Sequence, residues 1–458
     1  MSKYEPVSAE VVAALQTALG AEYVRTDAET LEKYKTDEET DPRYHHLPEV
    51  VVWPGSTEEV AAVMKIANQY NVPVTPRSAG TSVYGGIVLL LERMDKIEEL
   101  NTEGMYMVVE AGARTVEIQE KANAAGFLYA GDPCSADSCL IGGNIATNAG
   151  GNKAVRYGTT RDQVYAIEAV TPTGDIVNVG ARLKKKSTGY CLEQLIMGSE
   201  GTLGIITKAT LKLLPLCPYK LDLLAIFTDL DKAVGLVPNL IKAGLNPTSV
   251  EFMDNAFVRS SSDYCELKLP HYEDGFYVIV TVESFNEDEL ESKMEQLDEI
   301  CSASGATDVL EADDRVWKLR RNCLESTRVL SLVSTSDDLV VPVDQIANCI
   351  RHLTKVAENY SFKLFTLAHA GDGNLHFQIL KGEMSDEQWE DEVSRFHAEA
   401  YPYVYSLGGR LSGEHGIGAK KVEAMEKYTE PVEMKMMKEI KRALDPKNIL
   451  NPGKVFNA

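Results

Sequence analysis

The chain has 458 residues, with 46 Lys and Arg against 69 Asp and Glu, which gives a formal net charge of −23 at pH 7. This length favours two domains, or one large domain with a cap. The acidic balance argues against a protein that binds nucleic acid or anionic lipid through its general surface. The first residues lack the basic and apolar parts of a signal peptide, and no apolar run reaches the roughly 18 residues of a membrane span. We therefore expect a cytoplasmic protein without an integral membrane segment. The eight cysteines form no Cys-x-x-Cys pair, which argues against an iron–sulfur cluster or a zinc ribbon within the chain.

The first 216 residues are predicted to alternate short strands with helices and glycine-rich turns. Val11, Val12, Leu15 and Leu19 recur at helical spacing and predict an outer helix. A strand at residues 49–54, a helix opened by the capping box at 56–59 and a strand at 71–76 predict a βαβ start. Further strands are expected at 107–111, 163–170 and 204–207, with a helix at 115–125. This alternation indicates an α+β domain.

The rest of the chain carries longer amphipathic helices, predicted at 231–243 and 287–303, each after a strand at 221–227 or 276–282. These units indicate a second α+β domain. A lysine-rich helix at 432–444 and a Pro- and Gly-containing turn at 445–454 close the chain. We therefore expect three parts: residues 1–216, residues 217–425 and a returning segment, 426–458.

Two glycine-rich segments lie in the first part, and the first of them follows a predicted strand. Pro76-Arg-Ser-Ala-Gly-Thr-Ser82 has small side chains that let backbone N–H groups approach an anion, although a tight structural turn would use the same residues. Ile141-Gly-Gly-Asn-Ile-Ala-Thr-Asn-Ala-Gly-Gly151 has four glycines and little side chain to form a core. The pair predicts two loops that cradle a long dinucleotide, without the Gly-x-Gly-x-x-Gly of a nicotinamide site.

The C-terminal quarter holds a candidate metal site. His369-Ala-Gly-Asp-Gly-Asn-Leu-His376 and Ser412-Gly-Glu-His-Gly-Ile-Gly418 supply three metal-ligand side chains and one further imidazole. Two buried structural histidines are the alternative interpretation, but imidazoles with a carboxylate suit Zn²⁺, Fe²⁺ or Mn²⁺. Asp372 could also bind a metal; the Asp-Gly-Asn sequence favours a turn instead.

The order of these motifs resembles a known family. Residues 76–82, 141–151, Tyr157-Gly158 and Gly198-Ser-Glu-Gly-Thr-Leu-Gly204 resemble the vanillyl-alcohol oxidase type of FAD-binding domain. Residues 369–376, Glu414-His415 and Asn451-Pro-Gly-Lys454 are similar to the FAD-linked D-lactate dehydrogenase and glycolate oxidase catalytic-subunit branch. The resemblance spans nearly the whole chain. It implies an α+β fold, in which a two-subdomain FAD-binding domain is joined to an α+β substrate or cap domain.

The resemblance also implies roles for individual residues. His369, His376 and Glu414 would hold one divalent metal (Zn, Fe or Mn), His415 would be the general base, and Asn374 would point toward flavin or substrate. Arg320 follows Trp317 by three and would bind the substrate carboxylate, with a solvated surface helix as the alternative. Thr81 stands where some relatives attach FAD through a histidine, so FAD is expected to be non-covalent. The implied FAD-binding residues are Pro76, Arg77, Ser78, Ala79, Gly80, Thr81, Ser82, Pro133, Ser138, Gly142, Gly143, Thr147, Gly150, Gly151, Tyr157, Gly158, Ile206 and Asn451.

The activity implied by the resemblance is oxidation of a small 2-hydroxy acid by hydride transfer to FAD. D-lactate is the favoured substrate and glycolate the second. Ser336 stands where members for longer dicarboxylates have a lysine, which argues against 2-hydroxyglutarate. With no nicotinamide fingerprint and no cluster cysteines, the electrons are expected to pass to a partner. Electron-transfer flavoprotein is the first choice, and an iron–sulfur subunit or quinone at a membrane are the other acceptors with which members of this branch work. A non-catalytic FAD subunit of a larger complex is one alternative, and a metallohydrolase, which leaves both glycine segments unexplained, is another.

Overall fold

The computed structural model describes residues 4–36, 42–77 and 85–458, and the chain divides into two compact units. The first unit contains the residues up to 150, 159–216 and 416–458, and the second contains 151–158 and 217–415. The sequence predicts limits at 216/217 and 425/426, whereas the units change over at 216/217 and 415/416. Within the first unit, the Glu200 carboxylate accepts hydrogen bonds from the N–H groups of Ile417 (2.6 Å) and Gly418 (2.8 Å) at the start of the last stretch.

The first unit opens with a small sheet covered by helices. Its elements are α1 (Ala9–Leu19), β1 (Val24–Arg25), α2 (Ala28–Lys33), β2 (Val50–Val52), α3 (Thr57–Tyr70), β3 (Val74–Arg77) and β4 (Ile87–Leu90). The strand order is β1-β2-β4-β3, with β2 and β3 both parallel to β4. The predicted outer helix is confirmed, since Val11, Leu15 and Leu19 are buried in the core. The predicted βαβ unit is also present, with β4 inserted between its two strands.

A second, antiparallel sheet completes the first unit. The elements from here to residue 216 are β5 (Ile97–Asn101), β6 (Tyr106–Glu110), α4 (Thr115–Ala124), β7 (Phe127–Leu128), α5 (Ile141–Thr147), α6 (Ala154–Tyr157), β8 (Val164–Val170), β9 (Ile176–Gly180), α7 (Leu192–Ile196), β10 (Ile205–Lys212) and β11 (Leu214–Pro215). The strand order is β5-β6-β10-β8-β9. Ile141 and Ile145 of α5 pack into its core with Met107 and Ile206. The segment 141–151, predicted as a loop, therefore begins as a helix.

The second unit is built on one seven-stranded sheet. After α6, its elements are β12 (Tyr219–Phe227), α8 (Leu230–Lys242), β13 (Ser249–Met253), α9 (Asn255–Tyr264), β14 (Phe276–Ser284), α10 (Glu287–Ala303), β15 (Asp308–Glu311), α11 (Asp314–Arg321), α12 (Cys323–Leu330), β16 (Ser334–Val340), α13 (Ile346–Ala357), β17 (Lys363–His369), β18 (Asn374–Leu380) and α14 (Asp386–Ser406). The strand order is β15-β12-β14-β13-β17-β18-β16, and every pair is antiparallel.

The register of this sheet places five polar side chains near one another. His369 at the end of β17 pairs with Asn374 at the start of β18 and with Glu251 of β13. His376 of β18 pairs with Asp338 of β16. Four adjacent strands, β13, β17, β18 and β16, therefore carry these residues at one end of the sheet.

The chain ends on the first unit with α15 (Val422–Tyr428) and α16 (Pro431–Leu444). Val74 of β3 donates to the carbonyl of Ile449 (2.7 Å), and Asn451 donates to the carbonyl of Val74 (2.8 Å). Lys441 is buried, where its ammonium group bonds Asp445 (2.6 Å) and the carbonyls of Thr202 and Leu450. Short 3₁₀ helices lie at Ala21–Tyr23, Pro42–Tyr44, Thr160–Gln163 and Val343–Gln345. Among the described residues, no helix combines the length and apolarity needed to cross a membrane.

Candidate active site

Three imidazoles surround one carboxylate oxygen in the second unit. Glu414 Oε1 lies 3.3 Å from His376 Nε2, 3.4 Å from His415 Nε2 and 3.7 Å from His369 Nε2. Ligands at tetrahedral positions about 2.0–2.2 Å from one metal ion are separated by roughly 3.3–3.6 Å. The donor atoms of His369, His376 and Glu414, the three predicted ligands, all lie within 4.8 Å of one another, so these side chains could together hold one ion; that role stays a prediction.

The four side chains differ in exposure. Those of His369, Glu414 and His376 are 3%, 9% and 12% exposed, whereas that of His415 is 58% exposed. A catalytic metal site keeps protein ligands on one side and an open position on the other. The buried three suit metal binding, and exposed His415 suits proton exchange with a substrate.

The surroundings hold Glu414 in its charged form and lower the pKa of His376. Burial by itself raises the pKa of Glu414, but hydrogen bonds with His369, His376 and His415 outweigh it and hold the pKa well below its usual range. Burial lowers the pKa of His376, although Glu414 opposes this shift. A carboxylate and neutral imidazoles are the forms that bind a cation.

Glu251 of β13 fixes His369 from behind. This fully buried carboxylate has Oε1 at 2.8 Å from His369 Nδ1, and its Oε2 accepts from Arg320 Nε (3.1 Å) and Nη2 (2.6 Å). Burial raises the pKa of Glu251, but the charges of His369 and Arg320 outweigh it and lower the pKa. A carboxylate on Nδ1 holds the ring with the proton on that nitrogen, so that Nε2 can face a metal.

Asp338 of β16 organises the loop that carries Glu414 and His415. Its Oδ2 accepts from Ser412 Oγ (2.6 Å) and from the three backbone N–H groups of residues 413–415 at 2.8–3.2 Å. Its Oδ1 accepts from Asn374 Nδ2 at 2.6 Å. One buried carboxylate thus sets the position of the loop against the β17–β18 hairpin.

Glu251 and Asp338 are functional candidates that the sequence did not reveal. Each is an acid followed by apolar residues within a strand, Glu251 before Phe252 and Asp338 before Leu339, and both are buried. A charge in such a position requires partners, since burial without them is costly. That signal marks an acid in a predicted buried strand, but it does not say what the acid binds.

The other predicted residues of the second unit have defined surroundings. Arg320 is 11% exposed and bound to Glu251, so the alternative of a solvated charge does not describe it. Asn374 Oδ1 is buried and accepts no hydrogen bond from the described residues. Asp372 accepts from the Asn374 N–H at 3.1 Å, as in a turn, and burial raises the pKa of its carboxyl to about 6.

The first unit brings the glycine-rich segments together. A Cβ on Gly142 would lie 2.7 Å from the Cβ of Ala111, so α5 packs directly on the chain after β6. Gly198 and Glu200 donate to the carbonyls of Ile145 and Ala146 at 3.0 and 2.7 Å. The turn 198–204 therefore lies against α5.

The returning segment joins the same cluster. Asn451 Nδ2 donates to the carbonyl of Glu200 at 2.6 Å, and a Cβ on Gly201 would lie 3.0 Å from Pro76 Cγ. Five buried polar atoms of this unit have no hydrogen-bond partner within the described ranges: Thr75 Oγ1, Tyr129 Oη, Arg161 Nε, Ser199 Oγ and Asn451 Oδ1. Buried polar groups are nearly always paired, so this set fits a polar ligand such as FAD.

The remaining predicted FAD residues are spread over both units. Ser78, Ala79, Gly80, Thr81 and Ser82 lie outside the described residues, whereas Arg77 donates to the carbonyl of Thr36 at 2.7 Å. Pro133 is buried, Ser138 is exposed, Ile206 packs in the core, and Thr147 Oγ1 bonds the Gly143 carbonyl. Gly150 ends its stretch of the first unit, and Gly151, Tyr157 and Gly158 belong to the second, where Tyr157 donates to Glu283 at 3.0 Å. Their roles toward FAD stay predictions.

Two family models match the chain. Residues 48–180 match an FAD binding domain, and residues 220–455 match the C-terminal domain of FAD linked oxidases. The chain is 36% identical over 425 residues to a D-lactate dehydrogenase of Anaerostipes hadrus, covering 89% of each. It is 34% identical over 427 residues to the glycolate oxidase subunit GlcD of Bacillus subtilis (strain 168), covering 91% of this chain and 90% of the relative.

Solved structures share the fold. The chain is similar to p-cresol methylhydroxylase with a TM-score of 0.83 at 17% identity, covering 97% of this chain and 96% of the other. The TM-score to the 4-ethylphenol oxidase of Gulosibacter chungangensis is 0.78 at 19% identity, covering 99% and 98%. These likenesses confirm the predicted vanillyl-alcohol oxidase type of fold. The sequence relatives, unlike these structures, also show the family: the chain belongs to the FAD-linked oxidoreductase family of D-lactate dehydrogenases and glycolate oxidase subunits.

Proposed function

We propose that this flavoprotein is a metal-dependent dehydrogenase of a small 2-hydroxy acid, oxidising D-lactate to pyruvate, with glycolate as the second candidate substrate. The observation that carries the proposal is the cluster of three imidazole Nε2 atoms at 3.3–3.7 Å from Glu414 Oε1 in an FAD-linked oxidoreductase. A protein that only carried electrons would need no such cluster. The D-lactate dehydrogenase similar to this chain supports the choice of substrate.

The residues of the cluster divide the work of the oxidation. His369, His376 and Glu414 would hold the ion, which when bound supplies a Lewis acid for the substrate hydroxyl. His415, beside Glu414 and exposed, takes the hydroxyl proton as general base. Arg320 supplies positive charge for the substrate carboxylate, and Asn374 Oδ1 is available to orient the substrate.

The reaction balances as loss of two electrons and two protons from the hydroxy acid. His415 receives the hydroxyl proton, and the Cα–H leaves as a hydride, for which FAD when bound is the acceptor. The C–O single bond becomes the carbonyl of pyruvate or glyoxylate. We propose electron-transfer flavoprotein as the acceptor of the two electrons, because the chain has no nicotinamide fingerprint and no cluster cysteines.

The general base separates this proposal from its alternatives. His415→Ala should slow flavin bleaching by D-lactate by roughly 10²–10⁴-fold with metal content unchanged. Stopped-flow absorbance under anaerobic conditions measures the rate, and His397→Ala, on α14 and bound to Asp337 instead, is the matched control. Equal, measurable rates in wild type and His415→Ala would refute His415 as the base, whereas no bleaching in either protein would favour the non-catalytic FAD subunit. Ser336 keeps D-2-hydroxyglutarate the less favoured alternative substrate.

A further inference from the structure

A basic and apolar loop of the first unit has no role in the proposed chemistry. This loop, residues 181–191 between β9 and α7, is here called the lysine loop; residues 182–185 and 187–191 of it are exposed. Tyr190 is 91% exposed and Leu183 58%, and Leu192 directly after the loop is 44% exposed. Apolar side chains that are exposed to solvent close to one another are typical of binding surfaces.

The charge of the lysine loop is opposite to that of the chain. The net charge is −23, yet Lys184, Lys185 and Lys186 follow one another directly after Arg182 and Leu183. Lys186 pairs with Glu193 at 2.8 Å. Lys184 and Lys185 form no ion pair with any residue that the structure describes. The loop therefore presents uncompensated positive charge around an exposed tyrosine.

The lysine loop is joined closely to the flavin segments of the same unit. Helix α7 has five residues and connects it to the turn 198–204, which is bonded to α5 through Gly198 and Glu200. Ile196 and Met197 at the end of α7 are buried. The loop is thus anchored on the turn that packs with the second glycine-rich segment.

We propose that the lysine loop is the docking surface for the protein that accepts the electrons, a protein with acidic residues around a small apolar patch. This proposal rests on the proposed function, since it assumes that the electrons leave to a protein. Redox encounters use small interfaces, typically below about 1,200 Å², and depend on charge steering more than on area. Lys184 and Lys185 steer the partner, and Tyr190 is the contact at the centre. The chain's net charge of −23 would repel an anionic lipid surface, which argues against a membrane as the partner of this loop.

The test compares a charge-reversed loop with the same charge change elsewhere. The variant is Lys184→Glu with Lys185→Glu, and the control is Lys242→Glu with Lys355→Glu, both exposed on the second unit. Flavin bleaching by D-lactate, reduction of the dye dichlorophenolindophenol and reduction of purified electron-transfer flavoprotein are measured for each. We expect a fall of at least tenfold in kcat/KM for the flavoprotein, with weaker dependence on salt, only in the loop variant. Tyr190→Ser should lower the same constant while the salt dependence remains.

The other outcomes overturn either the docking surface or the proposed function on which it rests. An equal fall in the control variant would mean a net-charge effect, and loss of bleaching in the loop variant would mean damage to the flavin site. If wild type bleaches with D-lactate but does not reduce the flavoprotein, the docking proposal fails while the dehydrogenase stands. If wild type does not bleach at all, the proposed function fails first. Lysine-dependent sedimentation with phosphatidylserine vesicles would assign the loop to a membrane instead.

Discussion

Replacing Glu251 by glutamine should weaken metal binding without removing any metal ligand. The amide can still accept the His369 Nδ1 proton through one oxygen, but its NH₂ group then faces the Arg320 guanidinium, which loses two hydrogen bonds to a carboxylate. Loss of a partner behind a histidine ligand costs about 10- to 100-fold in metal affinity, or about 1.4–2.7 kcal/mol. Breaking a buried ion pair on one side costs about 3–5 kcal/mol of unfolding free energy.

Two measurements separate the local effect from the global one. Competition with a chromophoric chelator gives the Zn²⁺ affinity of metal-free protein, and urea unfolding gives its stability. Glu283→Gln is the matched control, because Glu283 is 12% exposed on β14 of the same unit and lies 3.6 Å from Arg156. The control should lose stability and keep its Zn²⁺ affinity. A Glu251→Gln protein with Zn²⁺ affinity within twofold of wild type would refute the role given to this carboxylate.

Asp338→Asn should lower Zn²⁺ affinity at least tenfold, since three N–H groups of residues 413–415 lose a charged acceptor; Asp337→Asn, whose carboxylate bonds Tyr401 and His397 instead, should not. Burial, opposed by hydrogen bonds from Phe257 and Thr366, raises the pKa of Asp254 from 3.8 to about 7, so the folded chain binds the extra proton between these values. The unfolding free energy of the protein should therefore fall as pH rises from 4 to 7, by up to about 1.4 kcal/mol per pH unit. Urea unfolding at several pH values should show a smaller pH dependence of this free energy in Asp254→Asn. The dependence should be that of wild type in Asp229→Asn, which changes the N-cap of α8. The same pH dependence in wild type and both variants would contradict the raised pKa of Asp254. Heat denaturation should release yellow FAD into the filtrate, whereas colour retained on the precipitate would exclude the non-covalent cofactor expected from Thr81.

Local patterns in the sequence predict local structure well. Helix α10, Glu287–Ala303, is predicted over the residues that form it, because its cap Asn286 and its periodic apolar positions are all close in sequence. The start of α3 follows from Ser56, whose side chain accepts from the Glu59 N–H, although the Glu59 carboxylate bonds Gly55 rather than Ser56. Such signals need no knowledge of the rest of the fold.

Segment 141–151 shows where local propensity misleads. Glycine costs about 1 kcal/mol relative to alanine in a helix, so its composition predicts a loop. The structure nevertheless forms α5 there, because Gly142 packs on Ala111 and the isoleucines enter the core. Tertiary contacts decide the conformation of this segment.

Only part of the candidate site can be predicted from the sequence, because some of its contacts join residues that are far apart in the chain. His369 and His376 flank a tight hairpin, so their spacing along the chain already indicates that they are close. Glu251 is 118 residues from His369, and Asp338 is 36 residues from Asn374. Their partners depend on the order of strands in the sheet, which no local pattern contains.

Anaerobic visible spectroscopy of the flavin-bound protein tests the central claim most directly. The protein is titrated separately with D-lactate, L-lactate, glycolate and D-2-hydroxyglutarate, before and after removal of metal with a chelator. The account predicts bleaching by D-lactate, lost on chelation and restored by a divalent ion. A flavin that none of these acids bleaches, or that D-lactate bleaches equally well without metal, would contradict it.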